Sequence, residues 1–393
     1  MLMTRKLVIK LKINKALILI FVLIFNSVIL TGCWNYKEID QLAIAAGVAV
    51  DKNADDTLHI TIEVVNISGD GKTTYESKYV ESDGDTIFEA VRKAIAREGR
   101  KIYWSHAKVA IISEELARED ILKYLDFLFR DAETREDTWL LISREKTAGE
   151  ILHSKGMLNP IVSFQIDDTM RAQKSISRFP FIEQYEFFDR IFYKHVSAIL
   201  PAVQLVEQHG KKTPLIGGTA IFKRQKLIGF LNEEDTIEML WLRDEVEGGI
   251  EVIKNISGAK ENVSLEIFKS KSKIIPLMQE GVLKMKVEID LDVGIGEIMG
   301  STDFISSPGN QKLVKAAEDK IEKDIKKVYT IVRDKYNADI FGFGRRVEMK
   351  MPRVWNQIKD DWDNFFVELE IDVDVNVKIR GSATIRIPLK VGE

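Results

Sequence analysis

One cysteine, Cys33, stands in 393 residues. A single thiol cannot close an intramolecular disulfide, so the chain is not a disulfide-stapled scaffold. No zinc site built on paired cysteines is available either. Histidine is nearly as scarce: the five residues, at 59, 106, 153, 195 and 209, are scattered and none belongs to an H-E-x-x-H pair. There is no G-x-S-x-G stretch of the kind that exposes a serine nucleophile. Carboxylates are plentiful, but no motif singles out a catalytic pair. Low-complexity tracts and short-period repeats are absent. Positive charge is in deficit, with 57 Lys and Arg against 61 Asp and Glu. That balance argues against nucleic acid and against electrostatic attraction to anionic lipid.

What is present begins at the N-terminus. Residues 1–15 carry Arg5, Lys6, Lys10, Lys12 and Lys15 and no acid, and residues 16–30 are apolar except for Asn26 and Ser27. A basic segment followed by an apolar one is a secretory signal. Fifteen residues fall short of the roughly 20 that a membrane-spanning helix needs. Ordinary signal peptidase requires small residues in an A-x-A pattern. The chain instead reads L-T-G-C at 30–33. This resembles the bacterial lipobox, with Leu three residues before an obligatory Cys and a small residue just before it. In such proteins the thiol takes a diacylglyceryl group and cleavage leaves Cys as the first residue. The alternative, an ordinary cysteine in an uncleaved span, sits poorly with the short apolar run. Each buried CH₂ contributes about 0.8 kcal/mol, and two chains anchor stably. Removing residues 1–32 leaves 52 basic and 61 acidic residues, a net charge of −9. The lipid, not a basic face, would hold such a chain at a membrane. About 360 residues suffice for two or three domains.

Periodicity predicts a mixed α/β region over 33–208. Residues 57–67 and 73–82 read as strands. Residues 85–98 read as a helix with Asp85 as N-cap and Gly99 beyond its end, and 113–130 as a helix capped by Ser113. Residues 108–113 and 138–143 read as short strands, and 147–194 as helical with breaks at Pro160 and Pro180. The polar stretch 208–214 (Q-H-G-K-K-T-P) is the best linker candidate. After it, 215–222 and 227–231 predict a hairpin and 233–243 a short helix. In 367–379 every odd position is apolar, and 283–293 repeats the pattern. Period two puts one face on a core and the other in water, as in an antiparallel sheet. Between these strands 311–335 has helical spacing. The expected class is therefore α+β, with a C-terminal antiparallel sheet packed on a long helix over 251–393.

Several motifs tempt and fail. S-G-D-G-K-T-T (68–74) carries G-K-T, but a phosphate-cradling loop needs Gly where Asn66 stands. D-V-D-V-N (372–376) opens like a calcium loop, but Val377 occupies the position that must be Gly. G-I-G-E-I-M-G (294–300) has the wrong glycine spacing for a dinucleotide and reads as a turn or bulge. Arg345 and Arg346 lie near Phe341 and Phe343 without further basic density. Trp355 and Trp362, placed in one short helix over 354–366, are either core or an interface with a partner.

Three stretches together resemble the Ger(x)C family, the lipoprotein C subunits of spore germinant receptors. The first is the lipobox followed by C-W-N-Y-K-E-I (33–39); the family reads C-W-D-x-x-E-I, so Trp34, Glu38 and Ile39 fit and Asn35 departs. The second is G-G-T-A-I-F-K-R-Q-K-L-I-G-F-L (217–231), where the family often has Trp in place of Phe230. The third is D-I-F-G-F-G-R-R (339–346), then P-R-V-W (352–355), D-W (361–362) and the strand to I-R-G (379–381). The resemblance implies a receptor with two integral membrane A and B subunits and this peripheral lipoprotein on the outer face of the inner spore membrane. It implies a three-domain α/β fold, in which 209–250 forms a small middle domain, and it implies no enzymatic activity and no cofactor. Only Cys33, as the lipidation site, carries over. Two other classes compete. An extracytoplasmic solute-binding lipoprotein would have two similar α/β lobes, against which the long alternating C-terminal strands argue. A lipid-anchored hydrolase would need a nucleophile–base or metal set, and none is found.

Overall fold

The computed structural model describes residues 17–25, 38, 41–68, 74–256 and 261–382. Cys33 and its lipobox lie outside them, as do residues 69–73 of the glycine-rich stretch. Residues 17–25 form a helix, α1, whose apolar side chains are exposed. Among the described residues no helix is long and apolar enough to cross a membrane.

The first strands are β1 (Leu42–Lys52), β2 (Leu58–Ser68) and β3 (Thr74–Gly84), an antiparallel meander. Helix α2 (Ile87–Glu98) follows. Its N-cap is Thr86, one residue later than expected: Thr86 Oγ1 accepts the Glu89 N–H at 3.1 Å, and Glu89 reaches back to the Asp85 N–H at 2.8 Å. Gly99 ends it with φ +68°. Then come β4 (Lys101–Tyr103), β5 (Val109–Ser113), α3 (Glu114–Arg130) capped by Ser113, β6 (Trp139–Ser143), α4 (Gly149–His153), α5 (Val162–Arg171), α6 (Gln184–Phe192) and β7 (Ile199–Gln208). Strands β1, β5, β6 and β7 run parallel to one another. Parallel strands are covered on both faces, which explains the unbroken run Val109–Ile112. Val109 and Ile111 pack with α4 and α5, through Ile151, Val162 and Ile166. Ala110 and Ile112 join the cluster of α2 and α3, with Val91, Leu116 and Leu125.

Residues 208–214 are not a linker. His209 and Gly210, with φ +53° and +71°, form a two-residue hairpin turn, and Gln208 pairs with Lys211. Hairpin turns and linkers share a polar, glycine-bearing composition, so composition could not separate them. β8 (Lys211–Lys223) and β9 (Lys226–Leu231) extend the same sheet, followed by α7 (Glu233–Trp241). Among the described residues that sheet has nine strands.

The second sheet holds β10 (Gly249–Lys254), β11 (Asn262–Gln279), β12 (Val282–Met299) and β13 (Glu370–Ser382) in that order. β11 and β12 are joined by Glu280-Gly281, again at positive φ. Met285, Val287, Ile289, Leu291 and Val293 face inward, as the alternation required. Helix α8 (Gly309–Ile331) buries Leu313, Ala317, Ile321, Ile325 and Val328. It carries the chain back to the starting end of β12, so β13 pairs with β12 in parallel, not antiparallel. Period two reports one wet face; it is silent on strand direction. Between them lie α9 (Phe343–Lys350), α10 (Pro352–Ile358) and α11 (Trp362–Glu368). Val367, expected at the start of the last strand, lies in α11. Trp355 and Trp362 are each 3% exposed with ring centroids 5.3 Å apart: they are core.

Three buried carboxylates anchor helix starts, Asp51 and Glu63 from far along the chain and Asp339 from just before its helix. Asp51 accepts the N–H groups of Ala148 and Gly149 at 2.6 and 2.9 Å. Glu63 accepts those of Val162 and Ser163 at 2.9 and 2.8 Å, and Asp339 those of Phe343 and Gly344. Each supplies acceptors to helical N–H groups that have no intrahelical partner.

Candidate functional site

His59 and His153 line one cavity, and the other three histidines lie elsewhere. His59 Nδ1 lies 2.7 Å from Asp83 Oδ1 and His153 Nε2 lies 2.7 Å from Glu81 Oε1, both near the surface. The His195 ring packs edge-on to Trp355 at 4.9 Å, His106 meets Tyr103 edge-on at 5.8 Å, and His209 sits in the hairpin turn. Among the described residues no group of three or more His, Cys, Asp or Glu could hold a metal ion.

The feature with most chemistry is a cavity of about 540 Å³ that the glycine-rich loop before α9 helps to wall. The loop is shaped by D-I-F-G-F-G. The Asp339 carboxylate seats the start of α9, its backbone carbonyl accepts the Ser197 N–H at 2.9 Å, and Gly342 turns the chain at φ +73°. Gly344 is small by necessity: a Cβ there would lie 2.9 Å from Trp362 Nε1. Asp339 is fully enclosed, and burial pushes its carboxyl above the usual range despite the three N–H donors around it.

Four arginines line the cavity. Arg243 grips Glu245 with two bonds, Nε at 2.9 Å and Nη2 at 2.7 Å, and also donates to the Ile340 carbonyl. Arg190 reaches the same Glu245 at 3.3 Å. Arg345, exposed at the rim, is 3.7 Å from Asp189 and lies over the Tyr193 ring. Arg346 differs. Its Nε is buried with no hydrogen-bond partner among the described residues. Burial, and next the Arg243 charge, pull its guanidinium below the ordinary value. Opposite, burial raises the Glu186 carboxyl on α6, against the Glu183 N–H that it accepts.

A second polar cavity surrounds Glu238 of α7, which is 4% exposed and has an Oε2 without a partner among the described residues. Lys320 of α8 pairs with Glu251 at 2.8 Å and with Asp324 at 3.1 Å, leaving Glu238 without an ion pair among the described residues. Burial first, then the Glu251 charge, lift Glu238 well above 4.5.

Sequence reasoning noted Arg345 and Arg346 as a short basic group but did not find their setting. The signal was there: Phe343 and Val347, four apart, mark the buried face of α9, and Arg346 adjoins that face, whereas Arg345 points away.

Residues 35–205 match the family described as the spore germination protein N-terminal domain, and residues 217–383 that described as spore germination B3/GerAC like, C-terminal. The chain belongs to the Ger(x)C family of spore germination proteins. Similar proteins include spore germination protein KC of Bacillus subtilis (strain 168), 23% identical and covering 96% of this chain and 98% of its own. Spore germination protein B3 of the same organism is 27% identical over 93% and 97%. The crystal structure of the GerBC protein superposes with a TM-score of 0.56 at 22% identity, covering 87% of this chain and all of that one. This chain thus shares the fold of the GerBC protein. The two family matches meet at the β7–β8 hairpin, and the arginine cavity is lined from both: Tyr185 and Glu186 lie in the first, Arg243 and Arg346 in the second.

Proposed function

We propose that this Ger(x)C chain is the lipid-anchored C subunit of a spore germinant receptor. It is held on the outer face of the inner spore membrane by a diacylglyceryl group on Cys33 and assembles there with the integral A and B subunits to allow nutrient-triggered germination. The observation that carries the anchoring is the placement of the chain's one cysteine at the end of L-T-G-C, after an apolar segment too short to span. The family membership supports the germination role. A two-lobed solute-binding lipoprotein is disfavoured by the two sheets, which differ in strand number and order.

The test uses spores with the wild-type gene, a deletion, or Cys33→Ala, and follows dipicolinate release after nutrient addition. The deletion is expected to abolish the response to at least one nutrient, and Cys33→Ala to weaken the same response. Mass spectrometry of the membrane-extracted protein should find Cys33 as the first residue, carrying lipid. An intact, unmodified N-terminus would overturn the anchor.

A further inference from the structure

The arginine cavity contains an imbalance that the receptor reading does not use. Arg190 and Arg243 share Glu245, and Arg345 pairs with Asp189. Arg346 has no ion pair or hydrogen bond from its guanidinium among the described residues, and its Nε is out of solvent. A buried carboxyl escapes such a position by taking a proton. An arginine cannot shed its charge, so the desolvation at its buried Nε stays uncompensated until an anion arrives.

We propose that this cavity binds a small organic monocarboxylate, with Arg346 meeting the carboxylate and the aromatic walls covering its apolar body. Size fits: small-molecule pockets run from about 300 to 1,000 Å³, and this one holds about 540 Å³. Tyr185, Tyr193 and Phe341 offer ring surface, and the exposed Met349 is an adaptable thioether at the rim. The charge count selects the ligand class. Four arginines face three carboxylates, Glu186, Asp189 and Glu245, which leaves an excess of one positive charge. A single negative charge is therefore welcome, and a phosphate dianion or a polyphosphate meets repulsion. A guanidinium also presents parallel N–H donors that fit a carboxylate in two-pronged fashion. Because the walls come from both family matches, an occupant would tie α6 to α9.

The test is calorimetric titration of the full-length, detergent-solubilised chain with benzoate, beside phenyl phosphate and benzylamine. Benzoate is expected to saturate, phenyl phosphate to bind at least tenfold more weakly, and benzylamine not to bind. Arg346→Gln should weaken benzoate at least tenfold, since a hydrogen bond to a charged group carries roughly that much, and Arg346→Lys should retain part of the affinity. The ligand-free Arg346→Gln protein should melt no lower than wild type, because a half-buried guanidinium without an ion pair has been removed. No saturable benzoate binding by the folded wild type, equal binding by Arg346→Gln, or tighter binding of phenyl phosphate would each overturn the assignment. A lowered melting temperature for both variants, with benzoate binding unchanged, would make Arg346 structural and overturn it too.

Discussion

The indole Nε1 of Trp362 lies 3.3 Å from Asp339 Oδ2, and the same carboxylate takes the N–H groups of Phe343 and Gly344 at 3.0 and 2.7 Å. One buried side chain thus holds α9, α11 and the glycine loop in register. Asp339→Ala would strand three buried donors, each costing about 1–3 kcal/mol. The expected loss is about 3 kcal/mol or more, read as a fall in the urea midpoint at unchanged slope. Asp339→Asn keeps one acceptor and should lose less.

Glu63 performs the same task for α5 across a sequence separation of about a hundred residues, accepting from Val162, from the Ser163 N–H and from Ser163 Oγ. Glu63→Gln removes the charge and leaves one acceptor for donors that had two. The expected cost is about 2 kcal/mol. Hydrogen exchange should report it locally, with the Val162 and Ser163 amides exchanging faster while those of β5 change little.

Glu238 makes stability depend on pH. Its folded carboxyl holds a proton more tightly than the unfolded one, whose value is near 4.5. Its contribution is therefore complete below pH 4.5 and is lost as pH rises through the higher folded value. Burial is the main cause of that higher value, and Glu251, Lys320, Asp324 and Asp235 act on it from β10, α8 and α7. Glu238→Gln should flatten this part of the pH profile and stabilise the protein at pH 8 by about 1 kcal/mol or more. Urea titrations of both proteins at pH 5 and pH 8 measure the difference. Equal slopes would show that Glu238 is ionised throughout.

Gly218 and Gly210 form a matched pair of left-handed glycines, φ +84° and +71°. A Cβ at Gly218 would lie 2.5 Å from the Leu231 carbonyl, whereas one at Gly210 meets nothing within 4 Å. Gly210→Ala should cost only the backbone term, about 1 kcal/mol. Gly218→Ala adds a backbone clash and should cost clearly more, or prevent folding. Thermal melts of the two variants side by side decide it.

Local order was legible where one physical signal dominated. The 3.6-residue spacing placed α2, α3 and α8, and strict alternation placed β12, because each has one wet and one dry face. Longer-range relations left no local trace. The parallel pairing of β13 follows from where α8 delivers the chain, and the Asp51 and Glu63 anchors join residues scores of positions apart. A hairpin turn at His209-Gly210 looked like a boundary because the same residue types serve both. Of the candidate sites, Cys33 is a reading of sequence order alone. The cavity around Arg346 depends on which charges happen to be matched, and spacing cannot express that.

The hairpin that joins β7 to β8 also means that the family's two sequence halves are not two folding units laid end to end. Each half contributes strands to a common sheet, so a chain cut at Gly210 would expose a hydrogen-bonding edge on each piece, and each edge would fit only the other. Expressed apart, the fragments should be unstable and prone to aggregate. Expressed together, they should find one another, which makes this turn a natural place for a split-protein complementation reporter.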